Sequence, residues 1–491
     1  MKRTLIWFRN DLRITDHEAL HKASIQQNPT LGVYCFDPRN YTTLEIGFPK
    51  TGSFRAQFIL ESVTHLKQLL QTLGSDLIVV FGKPEEIVPS ICAALTIELV
   101  TYQKEIAPEE VAIEDALESA LLKQHIQTTT YWNSTLMHPE DLPFPIQKLS
   151  ELFTDFRKKV ERETAIRNSL PAPTKLVSIN HNLEFEEVTL KMLGLEKPQL
   201  SPLAVLDFKG GEAEAQKRLN HYFWDTNHIS QYKETRNRML GESYSSKFSP
   251  WLALGCISAR SIYHEVKKYE QERVQNDSTY WLVFELLWRD YFKWIAAKHK
   301  GQLFQLEGLQ KLQIQWREDE HQFMQWRTGN TGYPIIDANM RELLQTGFIS
   351  NRGRQLVASF LTKNLGINWL WGAQWFESQL IDYDVCSNYG NWNYAAGVGN
   401  DARGFRYFNI LKQAHDYDAN GMYVKHWLPE LRLLPDGKVH QPYKMAVNEK
   451  LLYDFELGKN YSKPMIDLDL SVKEIEGLYN MALKDRRTKI S

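Results

Sequence analysis

Cysteine is scarce in this chain, and the four present, Cys35, Cys92, Cys256 and Cys386, lie far apart in its 491 residues. They form no CxxC pair and no metal-ligand spacing, which excludes a disulfide framework or a structural zinc site and leaves reduced core thiols. Long apolar runs are missing too. Lys2 and Arg3 are followed only by the short apolar stretch Thr4–Phe8. That stretch is too brief for a signal-peptide core or a membrane span, so the cytoplasm is the expected compartment and no membrane partner is expected. Nor does charge of one sign dominate, since 58 basic and 60 acidic residues give a formal net charge of −2. Bulk charge carries no nucleic-acid signature here, although phosphate contacts depend on where Lys and Arg sit rather than on their sum. What remains is a globular composition, 43% hydrophobic and 24% charged, with length for roughly two to four domains of ordinary size.

The first 132 residues alternate β-rich runs with helical stretches. Strands are predicted at Thr4–Phe8, Leu31–Phe36, Asp76–Phe81, Ile97–Tyr102 and Gln127–Trp132, with amphipathic helices such as Arg55–Leu73 and Pro108–Leu122 between them. This rhythm predicts a doubly wound parallel sheet covered by helices on both faces. The usual phosphate site of such a sheet is absent, because the first strand runs into Arg9, Asn10, Asp11 and Leu12 rather than into GxGxxG. From 133 to 205 prolines punctuate the sequence, as expected of a connector lying across a surface. From 206 to 491 the chain reads as all-helical, with single apolar faces in Tyr280–Lys298 and Gln355–Leu365.

Tryptophan is what the chain has in quantity, and twelve of its fourteen tryptophans follow residue 220. Lys233, Arg236, Arg238, Lys247, Arg289, Lys293, Arg352, Arg354, Arg403 and Arg406 share that half, so local charge permits DNA binding there. Within residues 331–409, Trp369, Trp371, Trp375 and Trp392 accompany a polar set of Asn351, Arg354, Asp382, Asp384 and Asn388. Such a mixture suits a large, flat, redox-active ring better than an ordinary core. Asp382 and Asp384 each need a donor if buried. Arg354 could hold one of them bidentately, and the other could accept from a ring N–H or a ribose hydroxyl. A solvated Asp-x-Asp at a helix end fits the same spacing. The run Ser245-Ser246-Lys247-Phe248-Ser249 before Pro250 reads either as a helix cap or as a phosphate cradle. Glu285, on an apolar helix beside Trp288 and Arg289, reads from spacing as a structural carboxylate paired with Arg289. Trp392, Trp369 and Trp316 read as core aromatics or as an electron relay.

TGFISNRGRQ and NYGNWNY resemble the flavin-binding half of the photolyase/cryptochrome family, in its DASH-type branch. The resemblance extends from WFRNDLR near the start to HWLPELR at His426–Arg432. It implies FAD in the helical domain, held by Tyr232, Ser245 to Ser249, Arg354, Asp382 and Asp384, with Asn388 facing the flavin N5. It also implies a relay from Trp392 through Trp369 to Trp316. Glu285 would hydrogen-bond a thymine dimer and Trp288 would stack on it, with Arg236, Arg289, Asn351, Arg352, Gln355, Tyr394 and Gln413 at the DNA or the site rim. Glu105 matches a carboxylate that holds a 5,10-methenyltetrahydrofolate antenna.

Two departures bear on substrate. Family members that rotate a lesion out of duplex DNA carry a tryptophan where this chain has Tyr394 and a methionine where it has Gln355. A phenol and an amide stack less well and desolvate less apolar area, and unstacking costs about a few kcal/mol. The histidines used on (6-4) lesions are not at Ser350, Asn351 or Gln355. The resemblance therefore implies a monomeric blue-light photolyase for cyclobutane pyrimidine dimers in single-stranded DNA, with weak action on duplex. The rival readings are a DNA-binding blue-light photoreceptor with little repair, and a dark electron-transfer flavoprotein.

Overall fold

The computed structural model describes residues 1–400 and 405–490, so Arg403 lies outside the described residues. Five parallel strands, β1 (Thr4–Phe8), β2 (Pro29–Phe36), β3 (Leu77–Phe81), β4 (Leu99–Gln103) and β5 (Gln127–Tyr131), lie in the order β3-β2-β1-β4-β5. Successive side chains point to opposite faces of a strand, and β1 divides accordingly. Ile6 and Phe8 join Phe58, Leu66 and Leu70 of the helix Ser53–Thr72. Leu5 and Trp7 join Val88, Ile91, Leu117 and Leu121 from the helices Pro84–Leu95 and Pro108–Lys123. Both faces are thus covered, as the doubly wound reading requires.

The missing phosphate loop has a structural reason. The turn after β1 is occupied by the helical half of the molecule: Leu12 N donates to Leu254 O at 3.1 Å, and Arg13 donates to Gly255 O at 2.8 Å. Arg13 also donates to Asp16 O at 2.9 Å and to Asn133 O at 3.1 Å. Gly255 has φ +65°, and a Cβ there would stand 2.1 Å from Asn10 O, so only glycine allows this approach. A buried pair, Asp16 with Arg260 through two bonds of 2.9 Å, locks the same seam. Removing one partner of such a pair costs about 3–5 kcal/mol.

The connector is more ordered than its prolines suggest. It contains a helix, Phe153–Glu163, that buries Phe153, Phe156 and Val160. It also contributes β6 (Val177–Ser178), which pairs with Pro29 and Thr30 where β2 extends beyond β3. At its start, Leu136 N and Met137 N each donate at 2.9 Å to the carboxylate of Asp290.

Asp290 lies on the helix Asp277–His299, the longest element that lines the site described below, capped by Asn276, whose side chain accepts from Ser278 N and Thr279 N. Gln355–Leu365 is not one helix: Asn351–Ser359 passes into a π-turn at Phe360–Asn364. The helices Trp369–Gln379 and Val385–Ala396 follow. Among the described residues no helix is long and apolar enough to cross a membrane.

Burial pushes the Asp290 carboxyl up from 3.8 to about 7, against the two backbone N–H groups that favour its charge. Between those values the folded chain holds a proton that the unfolded chain releases, so this group's contribution to stability falls as pH rises through that window and is level above it. Urea unfolding of Asp290→Asn against the unmodified chain should therefore show a stability difference that changes from pH 5 to pH 7 and is constant beyond about pH 7.5. A difference independent of pH across the range would contradict the buried, proton-holding carboxyl.

Candidate functional site

A cavity of about 550 Å³ opens where the helices Asp277–His299, Asn351–Ser359 and Val385–Ala396 meet the turn Ser245–Ser249. This volume is in the range of cofactor pockets. It gathers Tyr232, Ser245, Ser246, Lys247, Phe248, Ser249, Arg354, Asp382, Asp384, Asn388 and Trp392 on one set of walls. Arg236, Glu285, Trp288, Arg289, Asn351, Gln355 and Tyr394 line it as well. Glu105, Arg352, Gln413, Trp369 and Trp316 are not part of its lining.

The two aspartates differ. Asp382 takes one bond from Arg354 Nη2 at 2.8 Å, not a bidentate pair, because Arg354 Nε is committed to Ile349 O at 3.1 Å. Its other oxygen, Oδ1, is buried and has no hydrogen-bond partner among the described residues, and such an atom is costly unless a ligand satisfies it. Asp384 is satisfied from within the protein. It caps the helix Val385–Ala396 by accepting from Ser387 N at 2.9 Å and accepts from Arg289 Nη2 at 3.2 Å. Burial works against its charge, but Arg289 and Lys293 hold its carboxyl below the usual range. The solvated Asp-x-Asp is thus corrected: the motif ends at a helix cap, yet both residues line the cavity.

Ser245 to Ser249 form a turn in which Lys247 adopts φ +54°, a conformation uncommon for lysine. Its ammonium is buried, donates to Gly241 O at 2.8 Å and is pushed down to about 8 by desolvation. Lys247 and Arg354 both lie over the ring of Phe348, at 5.8 and 5.3 Å. Asn388 donates to Ala373 O at 3.1 Å, which fixes its amide. Trp392 packs on Gly372, where a Cβ would come within 2.2 Å of the indole.

At the mouth, Glu285 is hydrogen-bonded to Arg236, not to Arg289 as its spacing predicts. Arg289 turns instead to Asp384, Ser134 O and Leu252 O. Burial pushes the Glu285 carboxyl up. Trp288 stands edge-on to Tyr394, with centroids 6.0 Å apart at 84°. Tyr291 and Phe292 of its own helix also border it, at 5.7 and 5.4 Å, and a further contact was not legible in sequence: Phe153 of the connector stacks on it at 3.7 Å and 13°.

Arg352 and Gln413 are brought together outside the cavity. Arg352 donates to Gln413 at 3.3 Å and to Asn237 at 3.0 Å, and lies over Tyr417 at 4.4 Å. Trp392 makes its ring contacts with Phe376 at 5.1 Å and Trp326 at 6.4 Å, and Trp369 with Tyr389 at 6.2 Å. No ring contact joins Trp392, Trp369 and Trp316 among the described residues, but the backbone next to Trp316 meets the backbone before Trp369, since Arg317 bridges Ile367 and accepts from Asn368 N at 3.0 Å. Glu105 is buried at the carboxyl end of β4, bonded to Lys293 at 2.9 Å and Gln103 at 2.8 Å. Despite desolvation, Lys293 and Arg9 keep its carboxyl below the usual range.

Sequence reasoning missed several lining residues. Tyr383, between the two aspartates, lies under Arg55 at 4.3 Å. Leu282 and Leu286, four residues apart, and Phe292 add apolar lining, a pattern indistinguishable from ordinary core until the cavity is seen.

Comparison with known proteins agrees with this geometry. The family model for the FAD binding domain of DNA photolyase matches residues 281–480, and that for DNA photolyase matches residues 4–175. Cryptochrome DASH of Gloeobacter violaceus is 55% identical over 488 residues, covering 99% of this chain and 98% of the relative. The crystal structure of a Synechocystis cryptochrome superposes with a TM-score of 0.95 at 50% identity, covering 97% of this chain and 99% of that one. A bacterial class III photolyase from Agrobacterium tumefaciens gives 0.86 at 27% identity, covering 99% and 98%. A parallel-sheet half and a helical FAD-binding half, matched along nearly their whole length, make this chain a member of the photolyase/cryptochrome family in its DASH-type branch.

Proposed function

We propose that the chain is a blue-light-dependent FAD enzyme that splits cyclobutane pyrimidine dimers, preferentially in single-stranded DNA. One observation carries the reading. A single cavity is lined by Asp382, whose Oδ1 is a buried acceptor with no partner among the described residues, and by the carboxyl of Glu285 and the rings of Trp288 and Tyr394.

The donor and acceptor set suits FAD. Asp382 Oδ1 offers an acceptor for a ring N–H, and Arg354 steadies the same carboxylate. Lys247 and the hydroxyls of Ser245, Ser246 and Ser249 offer a cation and donors to a diphosphate. Tyr232 and Phe248 supply apolar surface, and Asn388, anchored through Ala373 O, presents its amide to the cavity. When bound, reduced FAD would supply upon excitation the electron that opens the dimer, and the protein would supply orientation and exclusion of water.

Glu285 acts as a hydrogen-bonding group for the pyrimidine carbonyls. Burial raises its proton affinity, so it can donate a proton as well as accept one, and Arg236 fixes its orientation. Trp288, stacked on Phe153 and bordered by Tyr291, Phe292 and Tyr394, offers the part of its ring that lines the cavity to a base. Tyr394 and Gln355 give less stacking and less apolar desolvation than a tryptophan and a methionine, hence the preference for bases already unstacked. Trp392, Trp369 and Trp316 serve as a reductive relay. Arg289, Asn351, Arg352 and Gln413 meet the strand at the rim, and the chain works as a monomer in the cytoplasm. A 5,10-methenyltetrahydrofolate antenna bound near Glu105 completes the proposal, because β1 and β4 are paired and the connections leaving them run to opposite sides of the sheet, and open sheets bind ligands at such points.

Purified protein under blue light with a reductant should restore the thymine absorbance of ultraviolet-irradiated oligo-dT, and absence of recovery would refute repair. Glu285→Gln should lower the rate of that recovery at least tenfold, a loss of about 1.4 kcal/mol or more in transition-state stabilisation, while light-dependent bleaching of the flavin persists. Bleaching without recovery in the unmodified protein would favour the photoreceptor. Asp382→Asn should weaken FAD retention on gel filtration by about tenfold or more, the scale of one charge-assisted hydrogen bond. Tyr394→Trp combined with Gln355→Met should raise repair of duplex relative to single-stranded substrate. An unchanged ratio would remove these two residues from substrate choice.

A further inference from the structure

Beyond the cavity, the relay residue Trp369 has one neighbour equipped to be oxidised with loss of a proton. Trp369 is fully buried, and its indole N–H is committed to Leu306 O at 2.9 Å. A backbone carbonyl is too weak a base to take that proton, so an electron-deficient Trp369 stays a strong oxidant. The indole nitrogens of Trp392 and Trp316 are buried and have no acceptor among the described residues. Tyr389 differs. Its ring meets Trp369 edge-on, with centroids 6.2 Å apart at 77°, and its hydroxyl donates to Glu377 Oε2 at 3.5 Å. A phenol gives up an electron far more easily when a base takes its proton in the same event, and a carboxylate is such a base.

Glu377 is built for that part. It is 7% exposed on the helix Trp369–Gln379, and burial raises its proton affinity. The charges that bear on it are the cations of Lys50 and Arg55 and the anion of Glu109. Lys50 is ion-paired with Glu109, whose side chain is 75% exposed, so the carboxyl has polar groups leading toward solvent.

We infer that Tyr389 is a redox partner of Trp369, with Glu377 as the acceptor of its proton. This rests on the reading that Trp392 and Trp369 carry oxidising equivalents away from a photoexcited flavin. In the step, the Trp369 indole radical cation takes one electron from Tyr389 and returns to neutral indole. The phenolic O–H bond breaks, its proton forms an O–H bond on Glu377 Oε2, and Tyr389 is left as a neutral tyrosyl radical. One electron and one proton are conserved, and the oxidant is the photo-oxidised indole. The branch would keep the hole close to the cofactor yet unable to return quickly, because reversal requires the proton to come back.

The test is time-resolved absorption and EPR on the FAD-loaded full chain after a light flash, for the unmodified protein, Tyr389→Phe and Glu377→Gln. The unmodified protein should show a tryptophanyl signal decaying into a tyrosyl signal, slowed several-fold in heavy water. Tyr389→Phe should lose the tyrosyl signal and prolong the tryptophanyl one several-fold, and Glu377→Gln should slow the conversion with FAD content unchanged. A tryptophanyl signal that decays identically in the unmodified protein and Tyr389→Phe overturns the inference and leaves the relay standing. A flash that produces no tryptophanyl signal in the unmodified protein overturns the relay and the inference together.

Discussion

A charge buried on a helix cannot be satisfied by that helix's own backbone and must draw its partner from elsewhere in the chain. The helix Asp277–His299 carries three ionisable groups, Arg289, Asp290 and Lys293, within two turns, and each draws on a different part of the molecule. Asp290 holds the connector by Leu136 N and Met137 N. Arg289 holds Asp384, at the start of the helix that presents Asn388 and Trp392. Lys293 crosses to Glu105 at the end of β4. The loss of Asp384 or Glu105 leaves an uncompensated charge on Arg289 or Lys293, which costs more than the pair contributes. The shape of the cavity, the path of the connector and the seating of the sheet therefore all depend on one helix's need for polar partners.

The cavity repeats the logic on a smaller scale. Several of its polar groups are anchored by protein partners, as Arg354 is by Ile349 and Asp382, and Asn388 by Ala373. Beside them Asp382 Oδ1, buried and with no hydrogen-bond partner among the described residues, is an atom awaiting a donor. Groups held before a ligand arrives lose little freedom on binding.

What was legible in sequence follows the range of the interaction. β1 was read without error because four apolar residues after Thr4 and before Arg9 need only local rules, and the helix Pro108–Lys123 was marked by its proline start. The helix Phe153–Glu163 was hidden because just three apolar residues interrupt a charged run among prolines. β6 exists only because β2 overhangs β3, a fact of pairing rather than of residue type. At the site, Asp382, Tyr383 and Asp384 of the DYD run and Asn388, Asn391, Trp392 and Tyr394 of NYGNWNY line one cavity. The partner of Glu285 did not follow from spacing, since Arg236 is 49 positions away and Arg289 had a stronger demand from Asp384. Nor could spacing reveal that Phe153 covers one face of Trp288.

The contact of Gly255 with Asn10 leaves less space than a methyl group between the two halves of the chain. Sliding or hinging there would have to break the bonds of Leu12 and Arg13 and the Asp16–Arg260 pair in a single motion. The halves therefore diffuse and tumble as one block. A pigment lodged against the sheet would keep a constant separation and tilt from a ring in the helical half, so excitation passing between them would be insensitive to thermal jostling.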